Sequence, residues 1–468
     1  MNLNRIILAG LLAASPALGQ TTGDPFTPIR ASEGVIRVDY RDFARVPDVD
    51  SQAARMMLMI DEPGAPNFFV NDMRGALYRI SADGRIVAEY VNIDDPVWGH
   101  DVQSQGRERG FQSFAFHPQF SQRGAPGFGK FYTWSDVTDK TPAPDFVPSG
   151  DGDSHDMELL EWTARTPGAA KYDGEKPREL LRVQHPFGNH NGGQLAFNPQ
   201  ARPGTPEFGK LYIGNADGGS AGDPMNMAQN LASVFGKILR IDPLGSNSKN
   251  GKYGIPSDNP FVGTANALGE IWALGVRNPQ RFGWDPANGN LYVADIGQNI
   301  VEEVSPVRKG GNLGWNVWEG SFRYLGRAGI DTTRARGDAA MIYPIAEFDH
   351  TDPILTGRSA ATGLIVYRGS AIRQLGSLIL FGDNPSGEVF AVSAANPPAG
   401  GQHPIRRILL NDGGEATTLL ELIRKTNTAQ GKQPAARADL RFGSGRDGQV
   451  FLLNKQDGVV RLLVASAR

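Results

Sequence analysis

An all-β fold, specifically a six-bladed β-propeller, is predicted from three observations: a recurring strand word, an abundance of turn formers, and the lack of cysteine. The 468-residue chain carries 58 Gly and 32 Pro, which favours many short strands joined by turns over long helices. Six segments share a turn residue, then alternating apolar and aromatic positions, then a polar end: 67–72, 129–134, 209–214, 289–294, 376–381 and 448–453. Each is followed by a second β-like run, at 76–80, 158–163, 237–241, 303–307, 388–392 and 459–464. Six similar strand pairs spread along the chain fit a propeller better than a β-sandwich. With no Cys to form disulfides, radial closure is a way to hide sheet edges.

The elements follow in order. Residues 1–20 read MNLNRIILAGLLAASPALGQ, with Arg5 before an apolar stretch and Ala17-Leu18-Gly19 as a small-x-small site. This predicts a secretory signal at 1–19, a linker at 20–34 and one propeller domain over 35–468, in the periplasm or secreted. A strand at 35–38 is expected to pair with the last blade and close the ring. Residues 136–156 and 244–269 read as loops over one face, not as linkers between domains. No later segment approaches the ~18 apolar residues of a membrane span. A net charge of -3 gives no reason to expect nucleic acid or an anionic membrane as partner. Zero Cys removes thiol nucleophiles, iron–sulfur clusters and CxxCH haem attachment. No GxGxxG stands between a strand and a helix, so a nicotinamide fingerprint is missing.

Chemistry concentrates in a few words. Asn189-His190-Asn191-Gly192-Gly193-Gln194 sets a His in a glycine-flanked turn before a strand. Glycine lets the backbone pack closely and leaves the imidazole open, and His accepts a proton near neutral pH. A lone turn His more often bonds to backbone. Here Asp217 closes the next strand, and strand ends of a propeller converge, so Asp217 is placed to orient His190. Arg277-Asn278-Pro279 ends a short apolar strand, and a guanidinium there can stabilise an oxygen that gains charge. Asp295-Ile296-Gly297-Gln298-Asn299 and Glu302-Glu303 put a glycine turn and paired carboxylates at another strand end, where a rigid sheet can aim them or where they form a solvated acidic turn.

These words resemble the glucose/sorbosone dehydrogenase family, the soluble quinoprotein sugar dehydrogenases, over roughly residues 55–465. The Tyr253–Phe261 word and Arg277-Asn278-Pro279 carry the likeness most specifically. The resemblance implies a pyrroloquinoline quinone (PQQ) and Ca²⁺-dependent aldose dehydrogenase, taking a small sugar to its lactone and passing electrons to an external acceptor. It makes His190 the base, Asp217 its orienting carboxylate, and Arg277 and Asn278 quinone contacts. It gives Gly297 and Gln298 carbonyls, with Glu302, to the metal. Gln194 stands where the family has Arg, and Glu108 where some members have a substrate-contacting Gln. Arg437 and Arg441 replace two arginines that grip the quinone carboxylates, at a different spacing. Two other functions fit the same residues: a Ca²⁺-dependent propeller hydrolase, such as a lactonase, and a non-catalytic binding propeller. The sugar and the oligomeric state are not legible.

Overall fold

The computed structural model describes residues 25–138, 140–148 and 152–466. The expected signal at 1–19 lies outside them. The described chain is all-β, with one α-helix, Leu419–Ala429. Most of its strands group by antiparallel pairing into six runs of four, leaving a small sheet of Trp318–Glu319, Phe322–Tyr324 and Ile330–Asp331, and Glu415–Thr417 beside Arg406–Asp412. The first is Met56–Asp61, Phe68–Asp72, Ala76–Ile80 and Val87–Asn92. The second is Phe111–Phe116, Lys130–Val137, His155–Thr163 and Arg178–His185. The third is Leu195–Phe197, Leu211–Asn215, Lys237–Ile241 and Ile271–Leu274. The fourth is Pro279–Trp284, Leu291–Asp295, Val301–Val307 and Ala346–Asp349. The fifth is Ala361–Tyr367, Leu378–Asp383, Val389–Ser393 and Arg406–Asp412. The sixth joins Arg441–Ser444, Val450–Leu453 and Val459–Val464 to the N-terminal strand Ile36–Arg45.

The strand expected at 35–38 is longer than predicted: residues 36–38 pair with the fifth run, and the last run is met only from Asp39 onward. Ile36–Arg45 pairs antiparallel with Val459–Val464, Tyr40 opposite Leu463, and lies parallel to Arg406–Asp412 at its other edge. Parallel contact between Met56–Asp61 and Arg441–Ser444 links the first and sixth runs into the same extended sheet as the fifth. The remaining runs form separate, open four-stranded sheets.

The core is partitioned between runs. One cluster, with Phe69, Phe114 and Trp162, lies between the first and second runs. Others lie between the second and third, the third and fourth, the fourth and fifth, and the fifth and sixth. A further cluster, with Phe43, Val70 and Phe451, sits between the sixth and the first. Middle strands are covered on both faces, so Leu211–Asn215 and Lys237–Ile241 are buried at every position. Each large apolar side chain so buried contributes about 1.5–3 kcal/mol.

The strand repeat carries no mark of this helix. Thr418 caps it by accepting the Glu421 N–H at 3.4 Å, and Leu419, Leu420, Leu422 and Ile423 bury into the cluster between the fifth and sixth runs. The Thr-x-x-Glu word ahead of an apolar run is the signal that marks such a start.

Candidate active site

The first strands of the runs begin around a common cavity of about 280 Å³. Met57, Gln112, Gln280 and Arg441, on first strands, line it, as do Gly192 and Ala360, just ahead of the first strands of the third and fifth runs.

His190 enters this cavity from a left-handed turn (φ 57°). The turn packs tightly on the third run: a Cβ on Gly193 would collide with the Gly214 carbonyl, so that position needs glycine. His190 Nδ1 lies 2.7 Å from Asp217 Oδ1, and Asp217 is fully enclosed. Gly219 N–H donates to the same oxygen at 3.0 Å, and Trp315 Nε1–H to Asp217 Oδ2 at 2.8 Å. Burial works to raise the Asp217 pKa, but His190, Arg277 and the Gly219 N–H together hold it below its ordinary value. Arg277 Nη2 approaches His190 Nε2 at 2.9 Å, and a guanidinium can only donate. The partners thus select one tautomer, with the proton on Nδ1 and the Nε2 lone pair turned to the cavity side.

Arg277 is fixed from several directions. Its Nη1 donates to Ile296 O at 2.9 Å, its Nε to Gln298 Oε1 at 3.2 Å, and it lies 5.5 Å over the Trp315 ring. The buried Asp295 carboxylate clamps the backbone below, accepting Arg277 N–H at 2.9 Å and Asn278 N–H at 2.7 Å. Burial pushes Asp295 up to about 7 and, helped by the Asp295 charge, raises Glu303 on the neighbouring strand. Asn278 Oδ1 is buried and unpartnered beside the cavity.

Both last-run arginines reach the site despite their altered spacing. Arg437 lines the cavity and bonds Asp439 at 2.5 Å and Asn384 at 2.8 Å. Arg441 is buried, donates to Thr362 Oγ1 at 3.2 Å, and is lowered to about 10 by burial. Sequence reasoning missed Lys455, Arg358 and Arg107, which bring the lining to six basic side chains against Glu108 and Asp439, with burial and the Arg441 charge holding Lys455 well below its ordinary pKa. Such excess positive charge suits a polyanionic ligand. No local word marked these three; only tertiary structure brings them together.

Two residues singled out in the sequence are not brought to the cavity wall. Gln194 is not in the cavity wall: its Oε1 accepts the Phe282 N–H at 3.1 Å, tying the third run to the fourth. Glu302 is also behind the wall, where its carboxylate accepts the Ala361 N–H at 2.6 Å and meets His350 Nε2 at 2.6 Å. Glu319 instead organises this loop, its Oε1 accepting the N–H groups of Gln298, Asn299, Ile300 and Val301 at 2.8–3.1 Å. Gly297 and Gln298 do line the cavity, and neither carbonyl accepts a hydrogen bond from the described residues. Among the described residues no group of three or more His, Cys, Asp or Glu side chains is placed to hold a metal. Glu108 lines the cavity and accepts the His190 backbone N–H.

A model of the family described as Glucose / Sorbosone dehydrogenase matches residues 67–396. The chain belongs to this family. Among curated relatives, HIPL1 protein of Arabidopsis thaliana is 33% identical over 293 residues, covering 56% of this chain and 40% of that protein. The chain spans less than half the length of the curated relatives it matches first. The apo crystal structure of the soluble aldose sugar dehydrogenase of Escherichia coli superposes with a TM-score of 0.62 at 19% identity, covering 92% of this chain and all of that one (100%). The PQQ-bound aldose sugar dehydrogenase of Streptomyces coelicolor superposes with a TM-score of 0.55 at 16% identity, covering 91% and 96%. At these identities the glucose/sorbosone dehydrogenase chain shares their fold.

The wall has its own pH dependence. Asp383 accepts the Ala360 N–H at 2.9 Å and both the N–H and hydroxyl of Ser386, so it braces the fifth-run side of the cavity. Burial pushes it up to about 6, although those hydrogen bonds favour the charged form. A carboxyl raised on folding contributes stability that is complete below its unfolded pKa and lost as pH rises through the folded one. Wild type should therefore lose on the order of 1–3 kcal/mol relative to Asp383→Asn as pH rises through this window. Urea denaturation of both proteins from pH 4 to 8 checks it; parallel profiles would refute it.

Proposed function

We propose that this chain is a six-bladed propeller that oxidises an aldose at the anomeric carbon to its lactone, with PQQ and Ca²⁺. Six four-stranded runs and apolar clusters between successive runs, including sixth and first, support the ring. The observation that carries the reaction is His190 Nε2, held in one tautomer by Asp217, at a cation-rich cavity.

The residues present fit the quinone. Arg437 and Arg441 offer charge to its carboxylates and Lys455 a further donor, and buried, unpartnered Asn278 Oδ1 and Gln280 Oε1 remain beside them. The free carbonyls of Gly297 and Gln298 fit Ca²⁺, whose charge would help hold the anionic cofactor. When bound, the quinone supplies a two-electron acceptor for hydride from the sugar carbon. His190 Nε2 takes the anomeric hydroxyl proton, and Asp217 stabilises the imidazolium. Arg277 must leave Nε2 as that proton arrives, which frees its charge for the oxygen that gains electron density. An external acceptor would take up the two electrons. The 1–19 leader word supports export.

The test is titration of purified apo-protein with PQQ in Ca²⁺, recording quinone absorbance with and without a panel of aldoses. Saturable binding followed by bleaching with a sugar is expected. A folded protein with no saturable quinone binding would overturn the proposal and move the hydrolase and binding readings ahead.

A further inference from the structure

We propose that Glu108 is a positioning residue that holds the base in place by accepting the His190 backbone N–H, an inference that rests on His190 being that base. The bond, 2.7 Å from His190 N to Glu108 Oε2, joins residues 82 positions apart. His190 occupies a left-handed conformation that a residue with a Cβ adopts only when its surroundings hold it there. Its N–H lies in a turn, outside any strand ladder, so the fold supplies this donor with a side-chain acceptor. A carboxylate makes that bond charge-assisted, stronger than an amide could.

The acceptor comes from an anchored loop. The Glu108 carbonyl accepts Gln112 Nε2–H, which also reaches Asp136 Oδ2 at 2.6 Å. Next door, the Arg107 carbonyl accepts from Lys455 Nζ at 3.1 Å. Both Gln112 and Lys455 line the cavity, so the loop is tied to its wall on two sides. Glu108 thus commits one carboxylate oxygen to the backbone of the base, whereas a pure sugar contact would leave both free. With the turn held, the imidazole keeps its alignment between Asp217 and Arg277. Small misplacements of a catalytic group are costly, because a shift of about 1 Å can lose 10²-fold in rate.

The experiment compares Glu108→Ala, Glu108→Asp and Glu108→Gln. The chain has 7 His, so side-chain ¹H–¹⁵N spectra of the apo-protein are tractable, with His190 assigned from His190→Gln. Glu108→Ala should move or broaden the His190 ring signals. In the reconstituted enzyme it should lower kcat about 10- to 100-fold, with KM and quinone affinity changed less than about threefold. Glu108→Asp keeps the charge but is too short, and should resemble Ala; Glu108→Gln keeps an acceptor and should restore most of kcat. Unmoved ring signals in both Ala and Asp variants would overturn the proposal. So would a raised KM at unchanged kcat, the mark of a direct sugar contact. If wild type oxidises no aldose, the functional reading fails, and the ring signals alone decide whether Glu108 holds His190.

Discussion

His190→Ala should leave a folded protein that still binds the quinone but turns sugar over about 10²–10⁴ times more slowly, the usual contribution of a general base. The imidazole ring touches the fold chiefly through Asp217 and Arg277, and the turn that carries it is held through the His190 main chain, whose N–H is bonded to Glu108 and whose carbonyl meets the His185 ring. Removing the ring leaves Asp217 with the Gly219 N–H and the Trp315 indole, so its carboxylate is still bonded. Denaturation midpoint and quinone affinity should therefore change little while kcat collapses. Asp217→Asn should be nearly as damaging, because an amide opposite Nδ1 no longer enforces the tautomer that leaves Nε2 unprotonated. Stopped-flow bleaching of bound quinone by excess aldose reads the chemical step directly. A reconstituted His190→Ala protein reducing quinone within about fivefold of wild type would remove His190 from the role of base.

Arg277→Lys should cost about 10²–10³ in kcat, although charge is conserved. Arg277 spreads three donors across Ile296 O, Gln298 Oε1 and His190 Nε2 while its plane covers Trp315. A lysine ammonium is a point charge on a flexible stem and cannot reproduce that fork or the stacking. Quinone affinity should also fall, because Arg277 is one of the cations around the cavity. The signature separating it from His190→Ala is this joint loss: binding and chemistry fail together. Titration of quinone absorbance followed by single-turnover reduction measures both. Wild-type affinity and rate in Arg277→Lys would show that its guanidinium geometry is unimportant.

What was legible in the chain follows from periodicity. The middle strands of every run were found, such as Ala76–Ile80, Lys237–Ile241 and Val459–Val464, because they combine β-branched and aromatic residues with turn words at their ends. First strands are less distinct in the sequence. Met56–Asp61 is a short apolar run without alternation, and Phe111–Phe116 is buried throughout yet mixes Gln and Ser with Phe, so neither pattern marks a cavity wall. The fourth strands lie beyond loops of variable length, and Ala346–Asp349 pairs with Val301–Val307 across the inserted segment containing Trp318–Glu319.

Gly193 shows what local sequence determines: its missing side chain lets the His190 turn press against Gly214, and the requirement is written at that position alone. The His190 and Arg277 words likewise carried their chemistry with them, since residue type and turn geometry are local properties. Tertiary structure alone decided which distant charges share the cavity. Arg437 and Arg441 arrive there although their spacing departs from the family's, Lys455 joins them, and Gln194 is drawn away to brace Phe282. Where a side chain points depends on which strand begins beside it in space, and strand neighbours here lie up to hundreds of residues apart. The electrostatic character of this site is therefore a property of how the strand runs pack together, while its individual reactive groups are properties of the sequence.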